Sequence, residues 1–343
     1  MAENESGRSP SNRVTILDIA RAANVSKSSV SRFLDERLPA SDSEKARRVR
    51  RIAAELGYVR DMSAASLRRG KTGLIGVIVP RLTDTVMAML YESLQRAAAR
   101  QGHFAIVATT DDTPEAARCA AETLLRRGVD GLVLSTARAD DPFIAELSDR
   151  GVPYVLALRT DGRSLSSVGD DVLGGYLATR HLIDLGHRRI GLIAGPSYAS
   201  SAAGRMEGYK NALLEAGIDI DPDLVVESTF GIESGGDAAK KMLNTSIRPT
   251  AIFAVNDNTA IGALAALNEL GLSVPEDISL VGYNDIPIVS KLPTPLTSVH
   301  VPFDQIATEA LNLLLAEDET PTDPIRRFMP SLMPRKSTRQ VRS

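Results

Sequence analysis

From Gly73 onward the chain alternates short, continuous apolar runs with amphipathic stretches. "GLIGVIVP", "FAIVATT", "DGLVLST" and "VPYVLAL" form one series, and "RIGLIAG", "DLVVEST", "AIFAVN" and "ISLVGYN" form a second. Apolar runs of this length are expected of parallel strands covered on both faces. Two series of similar size, with helical stretches between the runs, predict two doubly wound parallel-sheet subdomains.

The first seventy residues follow a different rhythm. Ile16, Ile19 and Ala20 share one helical face. Val30, Phe33 and Leu34 share a second, and Val49, Ile52, Ala53 and Leu56 recur at i, i+3, i+4, i+7. Thr15 with Asp18 caps the first helix, and Asn24 takes a left-handed turn position that Asn tolerates. Ser26 caps the second helix, and Ser41 with Glu44 is expected to form a capping box on the third, which Gly57 closes. Two short helices across a tight turn have the spacing of a helix-turn-helix. The predicted architecture is therefore an all-α helix-turn-helix head followed by a two-lobed α/β body.

Charge separates the same two parts. Residues 1–71 hold 15 Lys and Arg against 9 Asp and Glu, a net +6, while the remainder holds 25 against 34, a net −9. A basic head on an acidic body points to a polyanion met by the head alone. The second helix fits that partner. In "VSKSSVSRFLD" (Val25–Asp35), Lys27 and Ser28 lie at the exposed start, and Arg32 follows just over a turn later. Side chains entering a major groove there must be short or cationic; Lys and Arg donate to guanine O6 and N7. Ser26, Ser29 and Ser31 suit phosphates. With Thr15 and Leu17 from the start of the first helix, these six complete the DNA-facing set expected of the head.

In the body, polar residues cluster at strand ends, where doubly wound sheets bind ligands. "AVNDN" carries Asn256 and Asp257, "VGYND" carries Asn284 and Asp285, and "AGPSYASSAAGRMEGY" carries Ser201 and Arg205. A buried sugar needs several donors and acceptors and an apolar face, which Arg205, Asn256, the Asn284/Asp285 pair and Phe230 supply. Asp257 reads as a helix N-cap, as do Asp111 and Asp112 ahead of Thr113-Pro114.

"TILDIARAANVSKSSVSRFLD", then "ELGY" and "AASLRRGKTGLIGVIVP", resembles the start of a lactose/galactose-repressor family transcription factor, and the likeness runs through nearly the whole chain. The resemblance implies a sequence-specific regulator, a repressor of a palindromic operator bound as a dimer, with a small-molecule effector, a sugar, in a cleft like that of periplasmic sugar-binding proteins. It implies a hinge helix that folds on the operator, with Leu67 as the minor-groove wedge and Ala64 beside it. It adds Asp84 and Ser135 to the effector site from the first lobe, beside Ser201, Arg205, Phe230, Asn256, Asn284 and Asp285. Two departures stand out: Arg60-Asp61 replaces the usual Pro-Asn after the tyrosine, and Asn284 stands where many relatives have Asp, which leaves the clamp role to Asn284 or Asp285. The ending "SLMPRKSTRQVRS" lacks the leucine heptads of tetrameric members, so the expected assembly is a homodimer.

The expected division is a disordered tail at 1–12, the helix-turn-helix domain at 13–58, the hinge at 59–71, the effector and dimerisation domain at 72–336, and a basic tail at 337–343. The polar start "MAENESGRSPSNR" has no signal-peptide core, and no apolar run approaches a membrane span, which points to a soluble cytoplasmic protein. The single cysteine, Cys119, excludes an internal disulfide and a Cys-based zinc site. His103, His181, His187 and His300 have no metal-ligand spacing, and nucleophile-elbow, phosphate-loop and dinucleotide motifs are lacking, so no cofactor or catalytic set is expected. Two other readings, a periplasmic-type sugar-binding module and an enzyme on a doubly wound scaffold, leave the basic head unexplained.

Overall fold

The structure is a computed structural model that describes residues 14–35, 39, 41–58, 71–138, 141–245, 247–316 and 323–341. It divides into a head ending at Gly70 and a body starting at Lys71. The expected N-terminal tail and the hinge up to Gly70, with Ala64 and Leu67, lie outside the described residues.

The head contains α1 (Ile16–Ala23), α2 (Lys27–Phe33) and α3 (Glu44–Glu55). Thr15 and Asp18 form the capping box of α1, and Asn24 closes it in the left-handed region at φ 46°. Ile19, Ala23, Val30 and Val49 are fully buried where the three helices meet. The cap of α3 differs from expectation. Ser43, not Ser41, accepts the Ala46 N–H at 3.3 Å, and Ser41 donates its hydroxyl to Ser43 at 3.1 Å. Glu44 is thereby the first helical residue and is too early to close a box. Arg48 reaches from α3 to the Ala23 carbonyl and ties the third helix to the turn.

The body holds two six-stranded sheets. In the first, β1 (Leu74–Val79), β2 (Phe104–Thr109), β3 (Gly131–Leu134), β4 (Tyr154–Ala157), β5 (Ser166–Gly169) and β11 (Ile325–Phe328) are all parallel, in the order β11-β5-β4-β3-β1-β2. In the second, β6 (Ile190–Ala194), β7 (Val225–Glu227), β8 (Ala251–Ala254), β9 (Ser279–Asn284), β10 (Thr297–His300) and β12 (Ser331–Met333) run β12-β10-β9-β8-β6-β7, with β12 antiparallel. The helices are α4 (Thr85–Arg100), α5 (Pro114–Arg126), α6 (Phe143–Asp149), α7 (Asp171–Asp184), α8 (Ser200–Glu215), α9 (Ile232–Leu243), α10 (Asp257–Glu269) and α11 (Phe303–Leu315).

The lobes are not two consecutive segments. After β5 the chain crosses to the second lobe, where α7 packs on α8. After β10 it returns, and α11 packs on α4 and the first sheet. After β11 it crosses again to β12. The α7–α8 approach depends on glycine: a Cβ on Gly175 would lie 2.1 Å from the Arg205 carbonyl oxygen, and one on Gly208 would lie 2.0 Å from that of Val172. This closeness seats Arg205 beside α7.

Residues 337–341 are not a separate tail. Ser337 is fully buried; its hydroxyl donates to the Leu280 carbonyl at 2.6 Å and accepts the Thr297 N–H at 2.8 Å. The Arg339 carbonyl lies 3.1 Å from His187 Nε2, and the Val341 N–H donates to Leu185. A polar sequence conceals this docking, because backbone groups and small hydroxyls make it. Among the described residues, no helix is long and apolar enough to cross a membrane.

Candidate functional site

A cavity of about 360 Å³ lies between the lobes of the body, within the usual size of small-molecule sites. Seven of the eight residues expected there line it: Asp84, Ser135, Ser201, Arg205, Phe230, Asn256 and Asn284. Asp285 does not. Its carboxylate turns to Arg335, 2.6 Å from Nη2, and its N–H donates to Ser298 Oγ.

Strand ends and helix starts deliver these side chains. Asp84 is the N-cap of α4, accepting from Val86 N–H at 3.0 Å, and it also accepts from Asn258 Nδ2 across the cleft at 3.2 Å. Burial pushes its carboxyl above the usual range. Ser135 follows β3, and its hydroxyl donates to the Ile78 carbonyl. Asn256, rather than the expected Asp257, is the N-cap of α10: Oδ1 accepts from Thr259 N–H, and Nδ2 donates to the Phe230 carbonyl at 3.0 Å. Asp257 is instead wholly buried behind the cleft, accepting from the Ser298 hydroxyl at 2.7 Å and Ile286 N–H at 2.8 Å.

Arg205 finds an ion-pair partner within its own lobe. Nε donates to Asp171 Oδ1 at 2.8 Å, Nη1 donates to the Val255 carbonyl, and the guanidinium lies 3.8 Å from the Tyr283 ring centroid. Nη2 makes no hydrogen bond among the described residues. Asn284, at φ 99° and 4% exposed, likewise makes no side-chain hydrogen bond to a described residue. A buried carboxamide and a guanidinium edge left open on a cavity are groups that a polar ligand completes.

Arg159, Asp112 and Tyr198 are among the lining residues that the sequence did not mark as ligand-site groups. Arg159, 5% exposed, makes a two-pronged ion pair with Asp112 at 2.9 and 3.0 Å, and Tyr198 donates its hydroxyl to the same carboxylate at 2.9 Å from the other lobe. Asp112 therefore does not cap α5; Thr113 holds that position, and Asp111 and Asp112 both have positive φ. Two consecutive left-handed aspartates are a backbone signal of function that residue type alone does not reveal.

In the head, Lys27, Ser28 and Arg32 are exposed on α2, with Ser28 and Arg32 one turn apart. Ser26 is the N-cap, accepting from Ser29 N–H at 3.2 Å, and its hydroxyl lies 2.9 Å from those of Ser28 and Ser29. Ser31 is half-buried. The Thr15 hydroxyl is engaged by Asp18, whereas Leu17 is 49% exposed, an apolar side chain left outside the head's core.

A helix-turn-helix with an exposed cationic second helix, carried on a two-lobed parallel α/β body with a polar cleft, defines a ligand-responsive DNA-binding regulator. The family model for bacterial regulatory proteins of the lacI family matches residues 15–61, and that for the periplasmic binding protein-like domain matches residues 179–338. The chain is 35% identical over 316 residues to the ribose operon repressor of Haemophilus influenzae, across 91% of this chain and 94% of that one. It is 33% identical over 335 residues to the HTH-type transcriptional repressor PurR of the same species, across 95% and 99%. The lac repressor dimer bound to operator and the anti-inducer ONPF has a TM-score of 0.84 and 29% identity, across 96% of this chain and 100% of that one. The chain belongs to the lacI family of bacterial transcriptional regulators. It acts on DNA rather than as an enzyme.

Proposed function

We propose that this protein is a repressor that binds a palindromic operator as a homodimer and responds to an uncharged sugar in the interlobe cleft. The observation that carries the effector class is the Asn284 carboxamide, without a hydrogen-bond partner among the described residues, in a cavity whose buried cations, Arg159 and Arg205, already have Asp112 and Asp171 as partners. Open hydrogen-bonding groups beside neutralised charges favour hydroxyls over a phosphate or carboxylate. Arg205, Asn284 and Ser201 from the second lobe, with Asp84 and Ser135 from the first, are the proposed contacts; Phe230 supplies the apolar face.

Lys27, Ser28 and Arg32 read bases in this proposal. Ser26, Ser29, Ser31, Thr15 and Leu17 set the helix against the backbone, and Leu67 with Ala64 forms the wedge. One short helix reads only a few base pairs, so two heads on a symmetric site are needed. The proposed division follows the head and body, with residues 337–341 added to the body.

The test is a mobility shift on DNA flanking the gene, with and without D-ribose, D-xylose, D-galactose, D-glucose and cellobiose, alongside thermal melting with each sugar. A specific shift that weakens steeply with salt, reversed by the sugar that also raises the melting temperature, supports the proposal. Release only by sugar phosphates or sugar acids would overturn the uncharged class. A monomer by sedimentation at micromolar concentration would overturn the dimer.

A further inference from the structure

The last segment of the chain reaches the wall of the cleft from behind. Arg335 Nη2 donates to Asp285 Oδ1 at 2.6 Å, Nη1 donates to the Leu296 carbonyl at 2.8 Å, and the backbone N–H donates to Thr297 Oγ1 at 2.9 Å. Arg335 and Asp285 are largely buried, with side chains 18% and 12% exposed. Arg335 does not line the cavity; Asn284, the residue before Asp285, does.

Asn284 and Asp285 both have left-handed backbones, at φ 99° and 55°. Non-glycine residues keep such conformations only where their surroundings over-determine them. Most of the restraint comes from neighbouring strands and α10. Asp285 N–H donates to Ser298 Oγ at 3.1 Å, the Ser298 hydroxyl donates to Asp257, and Asp257 accepts from Ile286 N–H. His300 Nδ1 lies 3.4 Å from Asp285 Oδ2. These contacts fix the backbone on either side of the turn. Among the described residues, Arg335 supplies the one lysine or arginine ion pair to the Asp285 side chain. Without it, this carboxylate keeps His300 alone among the described residues, and the left-handed stretch between those fixed points loses its side-chain anchor to the closing segment.

We infer that Arg335 is a positioning residue for the ligand site: its ion pair with Asp285 holds the left-handed turn that aims the Asn284 carboxamide into the cleft. The inference rests on the cleft being the effector site. It gives the closing segment a role in ligand recognition that its distance from the cavity conceals.

The first measurement needs no ligand. The full-length protein is labelled with ¹⁵N-asparagine, and the Asn284 amide signals are identified by their loss in Asn284→Gln. Arg335→Gln is expected to move or broaden both the backbone and side-chain signals of Asn284 while most other asparagines stay in place. Unmoved Asn284 signals in folded Arg335→Gln would overturn the inference. Global loss of dispersion would transfer the same readout to Arg335→Lys, which keeps the charge but not the fork, and unmoved signals there would overturn it too.

The second measurement is release from operator by whichever of D-ribose, D-xylose, D-galactose, D-glucose or cellobiose acts on the wild type. Arg335→Gln is expected to raise the sugar midpoint roughly tenfold in the wild-type background and to add nothing in Asn284→Ala. Equal cost in both backgrounds would show that Arg335 acts without Asn284, and would overturn the inference. If no sugar acts, the effector reading falls, while the asparagine signals still decide the coupling.

Discussion

Tyr198 and Asp112 meet across the cleft at 2.9 Å, one residue from each lobe, on a carboxylate that also holds Arg159. With Asp84–Asn258 at 3.2 Å and Thr160–Ser200 at 2.9 Å, this bond joins the two lobes directly. A hydrogen bond to a charged group contributes about 1.5–3 kcal/mol. Tyr198→Phe removes that bond and keeps the ring, so it should raise the population of open lobes. The expected result is a larger radius of gyration in small-angle scattering and a sugar midpoint about tenfold higher if the ligand prefers the closed form.

Arg205→Ala should do two separable things. It should abolish the sugar response, and it should leave Asp171 buried without its cation, at a cost of about 3–5 kcal/mol in chemical denaturation. Burial pushes Asp171 above the usual carboxyl range, while Arg205's charge and hydrogen bond pull against that rise. The double variant Arg205→Ala/Asp171→Asn should therefore recover much of the lost stability but none of the sugar response. Operator affinity without sugar should stay near wild type in both.

Asp257 makes stability depend on pH in an unusual direction. Burial pushes its carboxyl from 3.8 up to about 7. Between those values the native state keeps a proton that the unfolded chain has lost, so this group's contribution falls as pH rises from about 4 to about 7, then levels off. The span is on the order of 4 kcal/mol. Asp257→Asn should flatten that slope, read as the difference between urea midpoints of the two proteins at pH 4.5 and 7.5.

On the head, Arg32→Ala should erase preference among operator variants by about 1–3 kcal/mol. Ser26→Ala removes the cap of α2 and should cost about 1 kcal/mol of head stability, weakening all DNA sequences alike. Competition assays on operator and scrambled DNA separate the two. Retained preference in Arg32→Ala would contradict base reading by α2.

Much of this molecule is legible in one dimension where a pattern is local. The eight apolar runs each contain a strand, and α1 and α2 start at the capping residues read for them. β5 and β10 were hidden because "SSVG" and "TSVH" are short and hydroxyl-rich, although their described positions are almost wholly buried. Ser167 and Ser298 tolerate that burial by donating to Ile306 and Asp257. The cleft's cations were legible as residues but not as pairs. Arg159 finds Asp112 47 positions away, and Arg205 finds Asp171 34 positions away. No periodicity encodes such distances; the packing of strands and helices within each lobe creates them, while the crossing of the chain between lobes brings its last described segments to both sheets.

That crossing also bears on how the protein is made. β11 completes the first sheet beside β5, and β12 caps the second beside β10, yet both come from the last twenty residues described. A chain emerging from the ribosome can assemble its three-helix head at once, from contacts within some forty residues. Each lobe must wait with an unpaired edge until the final segment is released, and Arg335 cannot meet Asp285 any sooner. Slow translation late in the message would therefore leave two exposed sheet margins on a nascent chain whose DNA-binding end is already formed.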